Sequence, residues 1–417
     1  MAKIVVAPYG SLGDLHPFIA LARELRTRGH EVTVASLEVY REKIDALGFE
    51  FRSLRPDFDP EDREVARLVM DTNRGTERLI RDYLSPGFRE MYDDLMSATE
   101  EAELLIPGEI VYPAYSVAEK RGLKMATTSL APLSMFSTYE PNVYPNAQFL
   151  KALNFLGRPL HRIVFYSMNR VLDGWLEPYR EFRSEIGLDP EHDPIVSDKF
   201  SKELHLAMFS RVLGAPQPDW PDSAVQTGFC FYDGCDDLGK MPDGLEEFLD
   251  SGEPPIVFTL GSAAVMDAGN FFEEGLEAAR MLNQRAVALY GIFNEPPAGT
   301  DRERTAFDYA PYGQLFSRAA CVVHQGGVGT TAQVLLAGVP HLIMPFSHDQ
   351  PDNAARCERL GVARTIFRDA YDRTSAATEI DRILDDGKYR SYAETAKQVL
   401  SEENGTVSAC DAIEDLL

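Results

Sequence analysis

An α/β chain with two Rossmann-like domains is the fold class this sequence predicts, and three observations predict it. Toward the C-terminus an apolar run at residues 319–323 leads into a tight glycine turn, Gly326-Gly327-Val328-Gly329. A helix-suited stretch at 330–337 follows, Gly338-Val339-Pro340 stops it, and a second apolar run at 341–346 reads as the next strand, completing a βαβ unit. A second such unit opens the chain: a strand at 4–7, a loop at 8–17, a helix to about Arg28 and a strand at 32–35. That helix carries Phe18, Leu21, Ala22 and Leu25 on one face. Finally, 417 residues exceed what one core usually supports, and Ala215-Pro216-Gln217-Pro218-Asp219-Trp220-Pro221 reads as a linker. The expected domains are therefore 1–212 and 223–388, joined by a linker at 213–222.

Composition narrows the function. With 44% apolar residues there is enough to bury two cores. The 41 basic and 66 acidic residues give a net charge of −25, which argues against nucleic acid or anionic lipid as a global partner. An anionic ligand would therefore need a local site. The five cysteines, Cys230, Cys235, Cys321, Cys357 and Cys410, show no metal-ligand or CxxC spacing and no disulfide framework. The early strand leaves no room for a signal peptide, and no apolar run is long enough to span a membrane, so a cytoplasmic protein is expected.

The remaining elements follow in order. The loop glycines Gly10 and Gly13 do not make a G-x-G-x-x-G dinucleotide fingerprint, which leaves a dehydrogenase without its motif. Asp14, next to the first helix, reads from the residues alone as a helix cap. Asp57-Phe58-Asp59 has the D-x-D pattern of some metal sites but lies in an acidic, proline-flanked turn, and reads as a solvated turn and cap. Helical sequence dominates 61–99, with short strands expected at 104–107 and 125–129 around a helix at 114–121. From 130 to 182 the chain is rich in aromatic residues and methionine. Within it, Lys151, Arg158, His161 and Arg162 sit among Leu153, Phe155, Leu156, Leu160, Ile163 and Val164, a short basic–apolar patch suited to weak membrane-surface contact. Strands are expected at 204–210, 225–229, 255–262 and 286–290, the second domain beginning with the strand at 225–229.

The stretch 322–353 carries the functional signal. No Asp, Glu, Lys or Arg lies between Arg318 and Asp349, so an anion at the glycine turn would be held by neutral N–H groups at the helix start. His348-Asp349-Gln350 follows the second strand at its carboxyl end, where open α/β sheets bind ligands. A phosphate cradle beside an Asp-Gln pair suits a nucleotide sugar.

The same stretch resembles the donor-binding signature of the family 1 glycosyltransferases, which have the GT-B fold of two Rossmann-like domains facing across a cleft. Asp308-Tyr309-Ala310-Pro311-Tyr312 resembles that family's base-holding segment. The likeness covers most of the chain, extends to bacterial rhamnolipid rhamnosyltransferases and, further off, to sterol and antibiotic glycosyltransferases, and is weakest at 57–103. It implies that Tyr309 and Ala310 meet the base. Ser262, His324, Gln325, Gly326, Gly327, Val328, Gly329 and Thr330 would meet the diphosphate, and Asp349 and Gln350 the sugar. It places Asp14 at the catalytic base, with His16 as a second candidate, and Met135, Phe136 and Tyr139 in the acceptor cleft. It also implies that 389–417 returns to the first domain. This chain departs from the pattern in having Gln325 where some relatives have their phosphate-binding His, Tyr309 for a stacking tryptophan, and Gln333 for a ribose-binding Glu.

The implied activity is inverting, metal-independent transfer from a UDP- or dTDP-sugar to a hydroxyl of a small lipophilic acceptor. The nucleotide sugar is a co-substrate, and no separate cofactor is expected. The alternatives are a GT-B nucleotide-sugar epimerase and a non-catalytic partner of another transferase.

Overall fold

The computed structural model describes residues 1–140, 142–232 and 239–417; Cys235 lies outside the described residues. Two parallel sheets organise the chain. The first contains β1 Lys3–Ala7, β2 Glu31–Ser36, β3 Glu50–Ser53, β4 Leu104–Pro107, β5 Lys124–Ser129, β6 Leu204–Ala207 and β7 Ala224–Gln226, in the order β3-β2-β1-β4-β5-β6-β7. The second contains β8 Ile256–Thr259, β9 Ala286–Leu289, β10 Arg304–Phe307, β11 Cys321–His324, β12 His341–Ile343 and β13 Ala363–Thr365, in the order β10-β9-β8-β11-β12-β13. The central strands β4, β8, β9 and β11 are buried at every position. Helices cover both faces, which is why these strands read as unbroken apolar runs rather than alternating ones.

Two expected boundaries move. β7 pairs with β6, Leu206 opposite Val225, so residues 224–226 belong to the first sheet and the proline-rich stretch is an internal connection. The second sheet starts only at Ile256. The return to the first domain also starts later than residue 389. Helix Gly387–Glu402 stays on the second domain, where Ala393, Ala396 and Leu400 pack with Ala332 and Leu335. Helix Gly405–Leu416 makes the return: Ala409, Cys410 and Ile413 share a core with Leu21 and Leu25. The Arg28 guanidinium meets Asp411 and Glu414 at 2.6 and 2.7 Å.

A buried polar knot also ties the domains. Arg356 of helix Gln350–Leu360 donates through Nε to Asp352 at 2.5 Å and pairs with Glu140 at 2.6 Å. Its second amino group donates to Asn142 Oδ1 at 3.1 Å, and Asp352 accepts from the Val143 N–H at 2.9 Å. Both charged groups are almost wholly shielded from water. Removing one partner strands the other in a poorly solvated place. Asp352→Ala is expected to cost about 3–5 kcal/mol in equilibrium urea unfolding; a loss below about 1 kcal/mol would show that Glu140 alone satisfies Arg356.

Candidate active site

In an open parallel sheet, a crevice forms at the carboxyl edge where strand order reverses. The first sheet reverses between β1 and β4, and the second between β8 and β11. All four loops that leave these strands line one cavity of about 1650 Å³ between the two sheets, through Gly10, Glu109, Gly261 and Gln325.

On the first-domain side, Ser11 caps helix Leu12–Thr27 and Asp14 closes the capping box. Asp14 Oδ2 accepts from the Ser11 N–H at 2.8 Å and the Ser11 hydroxyl at 3.0 Å. Oδ1 accepts nothing among the described residues, and the half-buried side chain lines the cavity. Gly10, at φ +130°, is required here, because a Cβ would fall 2.5 Å from Asp14 Oδ2. Shielding from water pushes the Asp14 pKa up to about 6, against the lowering effect of the Ser11 hydrogen bonds and with a further push from Glu109. His16 also lines the cavity, its ring 5.1 Å from that of Tyr232.

On the second-domain side, helix Val328–Ala337 begins two residues earlier than the sequence suggests, so Val328 and Gly329 form its first turn. Its start has no side-chain cap, leaving first-turn N–H groups open. Gly327, Val328, Gly329, Thr330 and Ser262 line the cavity beside it. Gln325 lies there too, its Nε2 3.5 Å from Thr330 Oγ1 and its buried Oε1 without a hydrogen-bond partner among the described residues. Oε1 can only accept, so an anion at the open helix start would meet Gln325 through its Nε2.

His324 does not reach this surface, a correction to its expected place at the diphosphate. It is the last residue of β11, so it points away from the face its neighbour Gln325 occupies. Its Nδ1 accepts from the Gly326 N–H at 3.0 Å, which leaves the proton on Nε2 to donate to His341 Nδ1 at 2.9 Å. Burial holds His324 well below the usual histidine range and takes His341 down to about 3, so both are neutral. Gly326 lies behind the turn rather than on the cavity wall; at φ +86° its Cβ would fall 2.7 Å from Ile343.

Asp349 and Gln350 line the cavity and are partly committed. Asp349 Oδ2 accepts from Asn353 Nδ2 at 2.7 Å, while the Asn353 amide also donates to the Gly326 carbonyl at 3.0 Å. Burial, with smaller contributions from Asp14 and Glu109, raises the Asp349 pKa to about 7. Gln350 Oε1 accepts from the Phe346 N–H at 2.8 Å, and its amino group donates to Met70 Sδ at 4.0 Å, keeping one N–H for a ligand. Tyr309 lines the cavity with an exposed ring, whereas the Ala310 side chain is buried in the core beneath.

Of the three expected acceptor residues, only Phe136 lines the cavity. Met135 turns into the core that joins the domains, and Tyr139 lies outside under the Arg158 guanidinium, 3.7 Å from its ring. The sequence reading missed an ion pair in the same wall between buried Lys199 and half-buried Glu109, Nζ to Oε2 at 3.1 Å. Lys199 Nζ also donates to the Ser134 carbonyl at 2.9 Å and lies 5.2 Å from the Phe136 ring centroid. The pair is 90 positions apart in sequence and carries no motif. In the D-x-D turn, Asp57 accepts from the Glu38 N–H and Asp59 from the Glu61 N–H. Among the described residues no group of three or more His, Cys, Asp or Glu side chains is gathered as for a metal ion.

Comparison with known proteins fits this geometry. Residues 4–104 match the glycosyltransferase family 28 N-terminal domain, and 301–413 match the erythromycin biosynthesis protein CIII-like C-terminal domain. An O-mycaminosyltylonolide 6-deoxyallosyltransferase of Streptomyces fradiae is 30% identical, over 99% of this chain and 97% of its own. The chain belongs to the GT-B glycosyltransferases. A sterol 3-beta-glucosyltransferase of Cryptococcus neoformans is 27% identical over 99% of the chain, which spans only 27% of that longer protein. Among solved structures, the glycotransferase of kitacinnamycin has a TM-score of 0.73 at 20% identity, covering 100% of this chain and 99% of that one. The spinosyn rhamnosyltransferase SpnG, solved with thymidine diphosphate, has a TM-score of 0.66 at 16% identity, covering 99% and 100%. These likenesses confirm the GT-B fold and the glycosyltransferase class expected from the sequence.

The histidine pair yields a test. In His324→Leu the buried Gly326 N–H loses its acceptor and His341 its donor. Urea unfolding is expected to show a loss of about 1–3 kcal/mol, from the unmet hydrogen bonds. An unchanged midpoint would mean that the turn stands without the pair.

Proposed function

We propose that this glycosyltransferase moves a hexose or deoxyhexose from a UDP- or dTDP-sugar to a hydroxyl of a small lipophilic acceptor, inverting the anomeric carbon. One observation carries the reading: Asp14, whose Oδ1 is unbonded among the described residues, and the uncapped start of helix Val328–Ala337 line the same cavity from opposite domains. The names of its relatives support the substrate classes, as does the thymidine diphosphate in the SpnG structure.

In this mechanism the acceptor oxygen attacks the anomeric carbon in a single displacement. Its proton passes to Asp14 Oδ1, the new glycosidic C–O bond forms, and the bond to the diphosphate breaks. The nucleoside diphosphate leaves with the electron pair. Its growing charge meets first-turn N–H groups and the Thr330 hydroxyl, donors already oriented toward it. Ser262 and Gln325 complete the cradle, and Tyr309 lies against the base. The second oxygen of Asp349 and the amino group of Gln350 hold sugar hydroxyls. The acceptor occupies the apolar lobe around Phe136, Leu160, Met168 and Trp175. Backbone donors do the neutralising here, so no metal is required.

Asp14→Asn is expected to lower turnover by about 10²–10⁴-fold, the usual contribution of a general base. It should leave intact the rise in melting temperature caused by UDP or dTDP. Normal turnover in the variant would remove Asp14 from the role. The base works as a carboxylate, and its pKa lies near 6. Turnover should therefore hold above that pH and fall as pH drops through it; a flat profile from pH 5 to 7 would contradict the assignment.

A panel of UDP, dTDP and NAD in thermal melts tests the donor site itself, and EDTA should leave turnover unchanged. Stabilisation by NAD alone, or a chelator-sensitive rate, would overturn the donor or metal-free part respectively. Nucleotide release that needs an added alcohol separates transfer from epimerisation and from a non-catalytic role.

A further inference from the structure

The helical stretch at residues 145–172 lines the active-site cavity on one side and is exposed beside it on the other, with Ile163, Ser167 and Val171 at the border. Inward, Leu160, Val164, Met168 and Leu172 line the cavity. Outward, helix Arg158–Asp173 exposes pairs of residues every four positions: Arg158 with Pro159, Arg162 with Ile163, Tyr166 with Ser167, and Arg170 with Val171. That spacing places them on a single helix face. The preceding turns expose Phe149 and Phe155 at 73% and 80%, while Tyr166 and Ile163 stand at 67% and 64%. Large apolar side chains this exposed, gathered within one short stretch, mark a surface that meets something apolar.

Charge says what that something is. Residues 145–172 contain Lys151, Arg158, Arg162 and Arg170 and no Asp or Glu, in a chain whose net charge is −25. Lys151 is paired with Glu358, but Arg162 and Arg170 make no ion pair among the described residues. A second copy docked here through the same face would set these arginines against each other. An anionic lipid surface would accept both the cations and the aromatic side chains. Asp173 at the end of this helix is paired with Arg180, and acidic residues beyond a Debye length of about 8 Å act weakly. Ile163 and Val171 are exposed on this face and also line the cavity, so the cavity opens beside it.

We propose that the face of helix Arg158–Asp173 formed by Arg162, Tyr166 and Arg170, with Phe149 and Phe155 beside it, docks on an anionic membrane surface. The cavity mouth at Ile163 and Val171 then opens against the bilayer, and lipophilic acceptor enters from the lipid. This last step rests on the proposed acceptor class; the docking itself does not.

Flotation with phosphatidylcholine vesicles, with and without phosphatidylglycerol, tests the docking. The full chain should float with the anionic vesicles only and be released as salt is raised. Arg162→Glu with Arg170→Glu should lower the floated fraction about tenfold or more. Phe155→Ser with Tyr166→Ser should lower it as well, and none of these four side chains lines the cavity. Unchanged melting curves and an unchanged dTDP shift would show that both variants are folded with the donor site intact. Flotation that ignores these substitutions, no flotation at all, or a concentration-dependent dimer that the same substitutions dissolve would each overturn the proposal. Loss of the dTDP shift in the unsubstituted protein would instead count against the donor site, so the two failures are distinguishable.

Discussion

Parallel strand pairing is the constraint from which the site follows. A parallel strand can be reached only by a crossover, so each strand of both sheets hands its loop to the same edge. Where strand order reverses, neighbouring loops diverge and leave a gap that no helix fills. This chain makes that gap twice, after β1 and β4 and again after β8 and β11, and sets the two gaps on one cavity. Asp14 is held by a capping box on one side, and the glycine turn by the end of a buried strand on the other. Loops fixed by such rigid supports can hold reacting groups at a defined distance.

In the proposed mechanism the donor side needs no cation. In a chain of net charge −25, bare electrostatics would repel a diphosphate. In that mechanism the open helix start answers locally with neutral N–H groups, which are worth more where water is excluded. Those donors must not relax, and the His324–His341 pair helps to hold them: a neutral ring accepts the Gly326 N–H and is itself fixed by a second ring. Asn353 works from the other side, joining the Gly326 carbonyl to Asp349.

Much of this was legible in the sequence, and the misses have local causes. The two βαβ units stand out because apolar runs, glycine turns and helix stops follow one another within short stretches. β3, β10 and β13 were not foreseen: they are three or four residues long, lie at sheet edges and carry exposed or half-buried positions. The strand expected at 225–229 is β7, but it pairs with β6, so the linker only seemed to end the first domain. His324 and Gln325 are adjacent in sequence, but the two-residue period of a strand sends them to opposite sides, and only three-dimensional placement says which one faces the cavity. Met135, Phe136 and Tyr139 lie in and just after the short 3₁₀ turn Pro132–Met135, where spacing does not foretell direction. The Glu109–Lys199 pair is assembled from distant segments and leaves no local trace.

Asp14 shows why two competing readings of one residue need not exclude each other. The capping reading uses Oδ2, which takes both Ser11 hydrogen bonds; the base reading needs only Oδ1. The cap fixes the carboxyl group, and in the proposed reaction that fixed group receives the proton. The cavity that shields it from water is apolar over much of its wall, including Phe136, Trp175, Ile195 and Phe229. That lining suits the proposed lipophilic acceptor, and the burial of Asp14 itself lifts its pKa to about 6. A carboxylate left in bulk water would be a weaker base by about two pH units. In the proposed reaction a polar substitution beside Asp14 would therefore weaken it as a base by lowering its pKa.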